Sequence, residues 1–327
     1  MEATPNPAAK TVNKTPQESV ILMPRSNTSL SPIVIATSVN ARYALGGFVS
    51  LKSALVYAPT TTEAIQVIVL DGGLSKRQWK RLADELGKVG RDIVLQRLVP
   101  DLSIFASLPR DYGNSLMAYA RLALPWMLPI EYERVLYCDA DVVFLRDWSH
   151  LWNLELNEFL VGAAVCPVVQ TLGGEGLPLE ELGLLPEAAY YQSGVMVMDI
   201  ARWRKERISE SALEYLARFP QQARYWDQSA LNAVLPGKWL EISEEWNMAT
   251  FRYHRLTPEQ KTRVGIIHYS GPNKPWNFEA IDDECVRFFF DQLQGTVWKD
   301  WRPSRLKSHL RLLKYKFDST LRKNGKK

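Results

Sequence analysis

The sequence predicts an α/β fold with a mostly parallel sheet flanked by helices, on three observations. From Ser31 onward, short β-rich runs alternate with stretches of helical spacing, the pattern of crossover-connected parallel strands. The first of these runs, IVIAT, is apolar enough to be a buried strand. The chain has 327 residues, 46% of them hydrophobic and 23% charged, an ordinary globular makeup with length for one large domain.

Residues 1–30 are rich in Pro, Thr, Asn and Ser without an apolar period, and are expected to be a disordered leader. Ile33–Thr37 is the first strand and Leu45–Tyr57 has helical spacing. Ile65–Leu70 is the second strand, ended by Asp71-Gly72-Gly73. Ser75 then caps a helix through Lys88, and Ile93–Leu98 is the third strand. Tyr112–Leu128 reads as a helix and Arg134–Cys138 as the fourth strand. No G-x-G-x-x-G follows the first strand, which disfavours a dinucleotide site. In such sheets ligands bind at the carboxyl ends of the strands, so the residues just after them are the place to look for chemistry.

Composition narrows the classes. No apolar run approaches the roughly 18 residues of a membrane span, and Arg121 interrupts the best candidate. The N-terminus lacks the basic start and apolar stretch of a secretory signal. Cys138, Cys166 and Cys285 have no metal-ligand spacing and fit reduced thiols in a cytoplasmic protein. The net charge of +4 hides an asymmetry: residues 297–327 hold eleven Lys and Arg against Asp300 and Asp318. The remainder is therefore mildly acidic, which argues against nucleic acid as a partner. Leu306, Leu310, Leu313, Phe317 and Leu321 fall on one face of that basic tail, the pattern of a helix attracted to an anionic membrane surface. A terminal helix packed on the domain is the alternative. The expected division is a leader at 1–30, a catalytic domain at 31–296 and an amphipathic tail at 297–327.

The most informative stretch is V-L-Y-C-D-A-D-V-V-F, residues 135–144. Asp139 and Asp141, one residue apart where an apolar strand leaves the sheet, are costly as neighbouring charges unless a cation or proton joins them. With phosphate oxygens they would complete a hard-cation site. The same residues also fit a haloacid-dehalogenase-like phosphatase with Asp139 as nucleophile and Asp282-Asp283 as the later acidic pair. That fold normally begins with its motif, whereas about a hundred residues of sheet precede it here.

Four further motifs bear on the choice: Y-A-R at 119–121, Y-Y-Q-S-G at 190–194, D-Q-S-A-L-N at 227–232 and H-Y-S-G-P-N-K-P-W at 268–276. Together with the D-x-D, this set resembles glycosyltransferase family 8, which includes bacterial lipopolysaccharide galactosyl- and glucosyltransferases and the glycogenins. The resemblance covers roughly residues 31–280. It implies the GT-A fold of nucleotide-diphospho-sugar transferases and retaining transfer of a hexose from a UDP-sugar. Galactose or glucose would pass to a saccharide or glycolipid acceptor, with Mn²⁺ as cofactor and Mg²⁺ as the alternative.

Carried over residue by residue, Asp139, Asp141 and His268 would ligate the metal, and an imidazole among oxygens favours Mn²⁺. Gly271 would let backbone amides approach the diphosphate and Lys274 would add positive charge there. Ala36, Thr37, Asn40 and Tyr43 would hold the nucleoside, Ala140 would line the donor site, and Arg121 would reach the donor sugar and the acidic cluster. Asn40 stands where Asp is common. Asp227 would bond sugar hydroxyls or N-cap its helix, and the Gln228 carbonyl would face the anomeric carbon. Gln192 replaces the usual Asn and would shift a sugar contact by about one methylene. Ser229 replaces the Asp of D-Q-D, which weakens a double displacement and favours front-face return of the acceptor. A nucleotide-sugar-binding protein without turnover is the third reading. The implied location is the cytoplasm, with peripheral attachment to the inner face of the membrane.

Overall fold

The computed structural model of the protein describes residues 18–21, 32–60, 64–108, 116–271, 274–280 and 283–306. Eleven strands form two sheets: β1 Glu18–Ile21, β2 Ile33–Val39, β3 Ile65–Asp71, β4 Ile93–Leu98, β5 Arg134–Cys138, β6 Val142–Phe144, β7 Val161–Val165, β8 Tyr191–Asp199, β9 Trp239–Glu241, β10 Met248–Ala249 and β11 Ile266–His268. The large sheet runs β1-β4-β3-β2-β5-β8-β7-β9 and the small one β10-β11-β6.

Strands β2, β3, β4 and β5 are parallel and begin and end close to where the apolar runs place them. Burial on both faces explains those runs: β3 is buried at all seven positions. The crossover helices are Ala44–Val56 and Lys76–Leu86. The second starts in a capping box, with Gln78 N–H donating to Ser75 Oγ and Ser75 N–H to Gln78 Oε1. Side chains alternate between two cores, one beneath each face of the sheet.

Three expectations change. Within residues 1–30, expected as a disordered leader, residues 18–21 form β1, an antiparallel edge strand on β4. The other leader residues lie outside the described residues. The segment expected as one helix, Tyr112–Leu128, is a 3₁₀ helix at Leu116–Ala123 followed by a short α-helix, Leu124–Met127. Pro125 accounts for the break, because in a continuous α-helix its ring would meet the Arg121 carbonyl four residues back. The start of the tail is not a helix but a docked segment: Trp298 packs against Phe48 at 4.5 Å between ring centroids and Trp301 stacks near Phe290 at 6.4 Å. The domain thus continues past residue 296. Of the tail's apolar positions only Leu306 is described, and it is 68% exposed.

The topology positions the site. β8 is antiparallel to β5, so its first residues lie at the same edge as the carboxyl end of β5, and Asp139 N–H donates to Gly194 O. β6 leaves directly after Asp141 and pairs with β11 so that His268 stands opposite Val142. Tyr269 N–H then donates to Asp141 O at 2.9 Å. Strand pairing alone thus brings a histidine 127 positions downstream against the D-x-D.

Candidate functional site

At that edge lies a cleft of about 270 Å³. One carboxylate oxygen each of Asp139 and Asp141 and a ring nitrogen of His268 lie within 4.8 Å of one another. Nε2 of His268 is 3.4 Å from Asp141 Oδ1 and 3.9 Å from Asp139 Oδ2. Its Nδ1 faces Asn247 Oδ1 at 2.8 Å and Gln192 Oε1 at 3.2 Å. Both are amide oxygens, so Nδ1 carries a proton and the other nitrogen turns its lone pair toward two carboxylates. Acceptors facing acceptors in a buried place are reconciled by a cation, and two carboxylates with an imidazole are a donor set for a divalent metal.

Charge is balanced on both flanks. Lys274 donates from Nζ to Asp141 Oδ2 and to Tyr269 O. Burial pushes the Asp141 carboxyl up, but Lys274 and then His268 overrule it and hold the group below the usual carboxylate range. On the other flank Arg121, buried, places Nη2 2.7 Å from Asp139 Oδ1 and Nε 2.9 Å from Asp227 Oδ2. Nη1 donates to Ser193 O, and the guanidinium lies 4.5 Å from the centre of the Tyr137 ring. Both ion pairs read from the sequence are present, because the 3₁₀ helix points one guanidinium between two strand-end acids.

Asp227 opens the helix Asp227–Val234 but does not cap it; Trp226 occupies the N-cap, without a side-chain capping bond. Instead Asp227 Oδ2 accepts from Ser193 Oγ at 3.2 Å and pairs with Arg121. Burial raises its pKa to about 6; Arg121 opposes that shift and Asp139 adds to it. Ser193 N–H donates to Gln228 Oε1 at 3.1 Å, which fixes the orientation of that amide, since a backbone N–H can only donate. Trp226 has φ +52° and ψ −116°, which L-residues rarely adopt.

Among the residues singled out in the sequence, Asn40, Tyr43, Arg121, Asp139, Ala140, Asp141, Gln192, Asp227, Gln228, His268, Gly271 and Lys274 all line the cleft. Ala36 and Thr37 do not; both are fully buried inside β2, and the Thr37 hydroxyl has no partner. Strand alternation placed them one and two residues short of the edge, and Ser38 reaches the cleft in their stead. Asn40 Oδ1 accepts from the N–H groups of Arg42 and Tyr43, shaping the turn. Tyr43 meets Trp276 edge-on at 5.2 Å, and Gly271, at φ +89°, forms the open rim. Sequence reasoning missed Ser193, Asn247, Tyr225 and Trp226. Adjacency to assigned motifs marks all of these but Asn247, which carries no local signal.

The sequence description Glycosyl transferase family 8 matches residues 34–280. General stress protein A of Bacillus subtilis is 29% identical over 79% of this chain and 91% of its own length. Lipopolysaccharide 1,2-glucosyltransferase of Escherichia coli is 32% identical over 62% of this chain, but only 61% of that protein is spanned. Among solved structures, the galactosyltransferase LgtC in complex with donor and acceptor sugar analogs superposes with a TM-score of 0.68. It is 24% identical over 82% of this chain and 99% of its own. The bifunctional glycosyltransferase WbbM gives 0.66, at 22% identity over 84% of this chain and 51% of its own. At these identities the two structures speak for the GT-A fold.

Proposed function

The chain belongs to glycosyltransferase family 8, and from that premise we propose that it is a retaining hexosyltransferase. The donor is a UDP-hexose, with galactose or glucose the sugar moved, and the acceptor is a saccharide or glycolipid. The observation that carries the reading is the meeting of Asp139, Asp141 and His268 beside the Asp227-Gln228 pair in one cleft. Mn²⁺ at the first three, with Mg²⁺ as the alternative, would offset negative charge on the departing diphosphate.

The protein's own groups do the rest. Lys274 stands beside Asp141 as a further positive charge for the diphosphate. Arg121 holds Asp139 and Asp227 in fixed relation, so the diphosphate end and the sugar end of the site are positioned together. Asp227 accepts hydroxyls of the donor sugar. Gln228 Oε1 keeps one lone pair for Ser193 N–H and turns the other toward the anomeric carbon as positive charge develops there. Serine follows Gln228, so no carboxylate nucleophile is in sequence, and the acceptor returns from the front face.

The phosphatase reading loses its second acidic pair. Asp283 sits with His254 and Cys285, outside the cleft residues, and Asp282 lies outside the described residues. A binding protein without turnover gains no support either, since every metal and D-Q position is filled. Incubation with a panel of UDP-hexoses and with phosphate esters, in Mn²⁺ and in EDTA, tests the proposal. Release of UDP in Mn²⁺ is expected, and phosphate release from simple esters would overturn it.

Gly194→Ala should cut Mn²⁺-dependent turnover by at least about 100-fold and weaken Mn²⁺ binding, because the ligand geometry is held within fractions of an ångström. A Cβ there would stand 2.3 Å from His268 Cε1 and 3.0 Å from Asp139 Oδ2. Calorimetric Mn²⁺ titration beside steady-state assays checks both.

The pH profile of kcat/KM should have an acid limb at about 6, where Asp227 protonates and ceases to be an anion for Arg121 and the donor hydroxyls. The sign for stability is opposite. A carboxyl raised in the fold contributes stability that is full below its unfolded pKa and is lost as pH rises through about 6. An Asp227→Asn protein should show neither dependence.

Among the described residues no helix is long and apolar enough to cross a membrane. We place the protein in the cytoplasm and attach it peripherally through the basic residues of 307–327. Each contributes roughly 1 kcal/mol at an anionic surface, weakened by salt. Removing 307–327 should end co-sedimentation with anionic vesicles at low salt while leaving donor hydrolysis intact. Full-length protein that fails to sediment would remove membrane association from the account.

A further inference from the structure

Behind the Asp227-Gln228 pair lies a buried carboxylate that the mechanism above does not use. Glu175 ends the short helix Leu172–Glu175 in the segment between β7 and β8, and none of it is exposed. One carboxylate oxygen accepts from Ser229 Oγ at 2.6 Å; the other is buried without a partner. Burying such a group is costly, so its retention calls for a reason.

Ser229 is the residue immediately after Gln228, and its hydroxyl also accepts from Tyr225 N–H at 2.9 Å. Because the amide must donate, the single hydroxyl proton is committed to Glu175, giving a one-way chain from Tyr225 N–H through Ser229 to the carboxylate. Glu175 holds the same turn a second time, its carbonyl accepting from Arg224 Nη1 at 3.1 Å. What the chain spans is Trp226, whose left-handed backbone persists only where its surroundings impose it. Asp227 and Gln228 follow directly, and their direction into the cleft depends on that turn.

We propose that Glu175 is a positioning residue for the transfer: through Ser229 it braces the Tyr225–Trp226 turn that aims Asp227 and Gln228 into the cleft. The roles of those two residues rest on the function proposed above; the brace itself does not. A carboxylate would thus reach this spot from another element in a chain that has serine after the Gln.

The test compares Glu175→Gln, Glu175→Leu, Ser229→Ala and the Glu175→Leu/Ser229→Ala double variant. Hydrogen exchange of the Tyr225 amide reads the brace without reference to activity. Exchange should quicken at least about ten-fold in Glu175→Leu and Ser229→Ala and stay within about two-fold in Glu175→Gln, which keeps an acceptor oxygen. For UDP-hexose hydrolysis, kcat should fall about ten-fold in the first two with donor KM within about three-fold, and return in Glu175→Gln. The double variant should be no worse than the poorer single one. Unchanged Tyr225 exchange in Glu175→Leu, or kcat losses that multiply, would overturn the proposal. If Glu175→Leu does not fold, Ser229→Ala, which removes only a hydroxyl, decides by the same two readouts. Absence of hydrolysis in the unaltered protein would count against the function proposed above, and the exchange data would still decide the brace.

Discussion

Asp141→Asn should lower Mn²⁺-dependent UDP-hexose hydrolysis by about 1,000-fold or more, the scale of removing charge from a metal that stabilises a leaving group. Asparagine keeps the shape and an acceptor oxygen, so the buried Lys274 ammonium, which Asp141 and Tyr269 O now satisfy, retains partners. The fold should therefore persist, with an unchanged circular dichroism spectrum. What is lost is the charge that faces the lone pair of His268 Nε2 at 3.4 Å. Asp139→Asn and His268→Ala should behave alike, although Asp139→Asn also weakens the anchor of Arg121, 2.7 Å away. Undiminished turnover in the Asp141→Asn protein would remove the metal assignment.

Gln228→Ala should reduce kcat by about 100- to 1,000-fold while donor binding changes only a few-fold, because the group acts chiefly as charge develops. Alanine deletes the acceptor for Ser193 N–H, a buried donor, so a modest loss of stability of about 1–3 kcal/mol accompanies it. Single-turnover measurements separate the two effects. An unchanged rate constant with weaker binding would make Gln228 a binding residue.

The parallel half of the sheet was legible because β2 to β5 are short apolar runs separated by helical spacing and turn residues, and each register is local. Direction was not legible for β8, since an apolar run reads alike in either sense; only its pairing with β5 turns Gln192, Ser193 and Gly194 toward the site. The D-x-D and D-Q motifs were legible as chemistry because charged groups beside apolar runs must be compensated. Asn247 was not, because it acts from the small sheet across a contact of 21 residues in sequence, and an isolated Asn has no period or neighbour to mark it. Thr37 was misplaced for a related reason: the motif gives the strand, while one more residue of strand decides who reaches the edge. The tail's basic, apolar pattern predicted a helix from 297. Tertiary packing of Trp298 and Trp301 on Phe48 and Phe290 overrides it at the start.

The central claim is hexosyl transfer from a UDP-sugar with retention at the anomeric carbon. It is tested most directly by ¹H NMR of the sugar first released when the protein hydrolyses an α-linked UDP-hexose in Mn²⁺. No acceptor is needed, and the anomer is read before mutarotation mixes the two forms. The account expects the α-anomer to accumulate first and then relax toward equilibrium. Initial release of the β-anomer would contradict it.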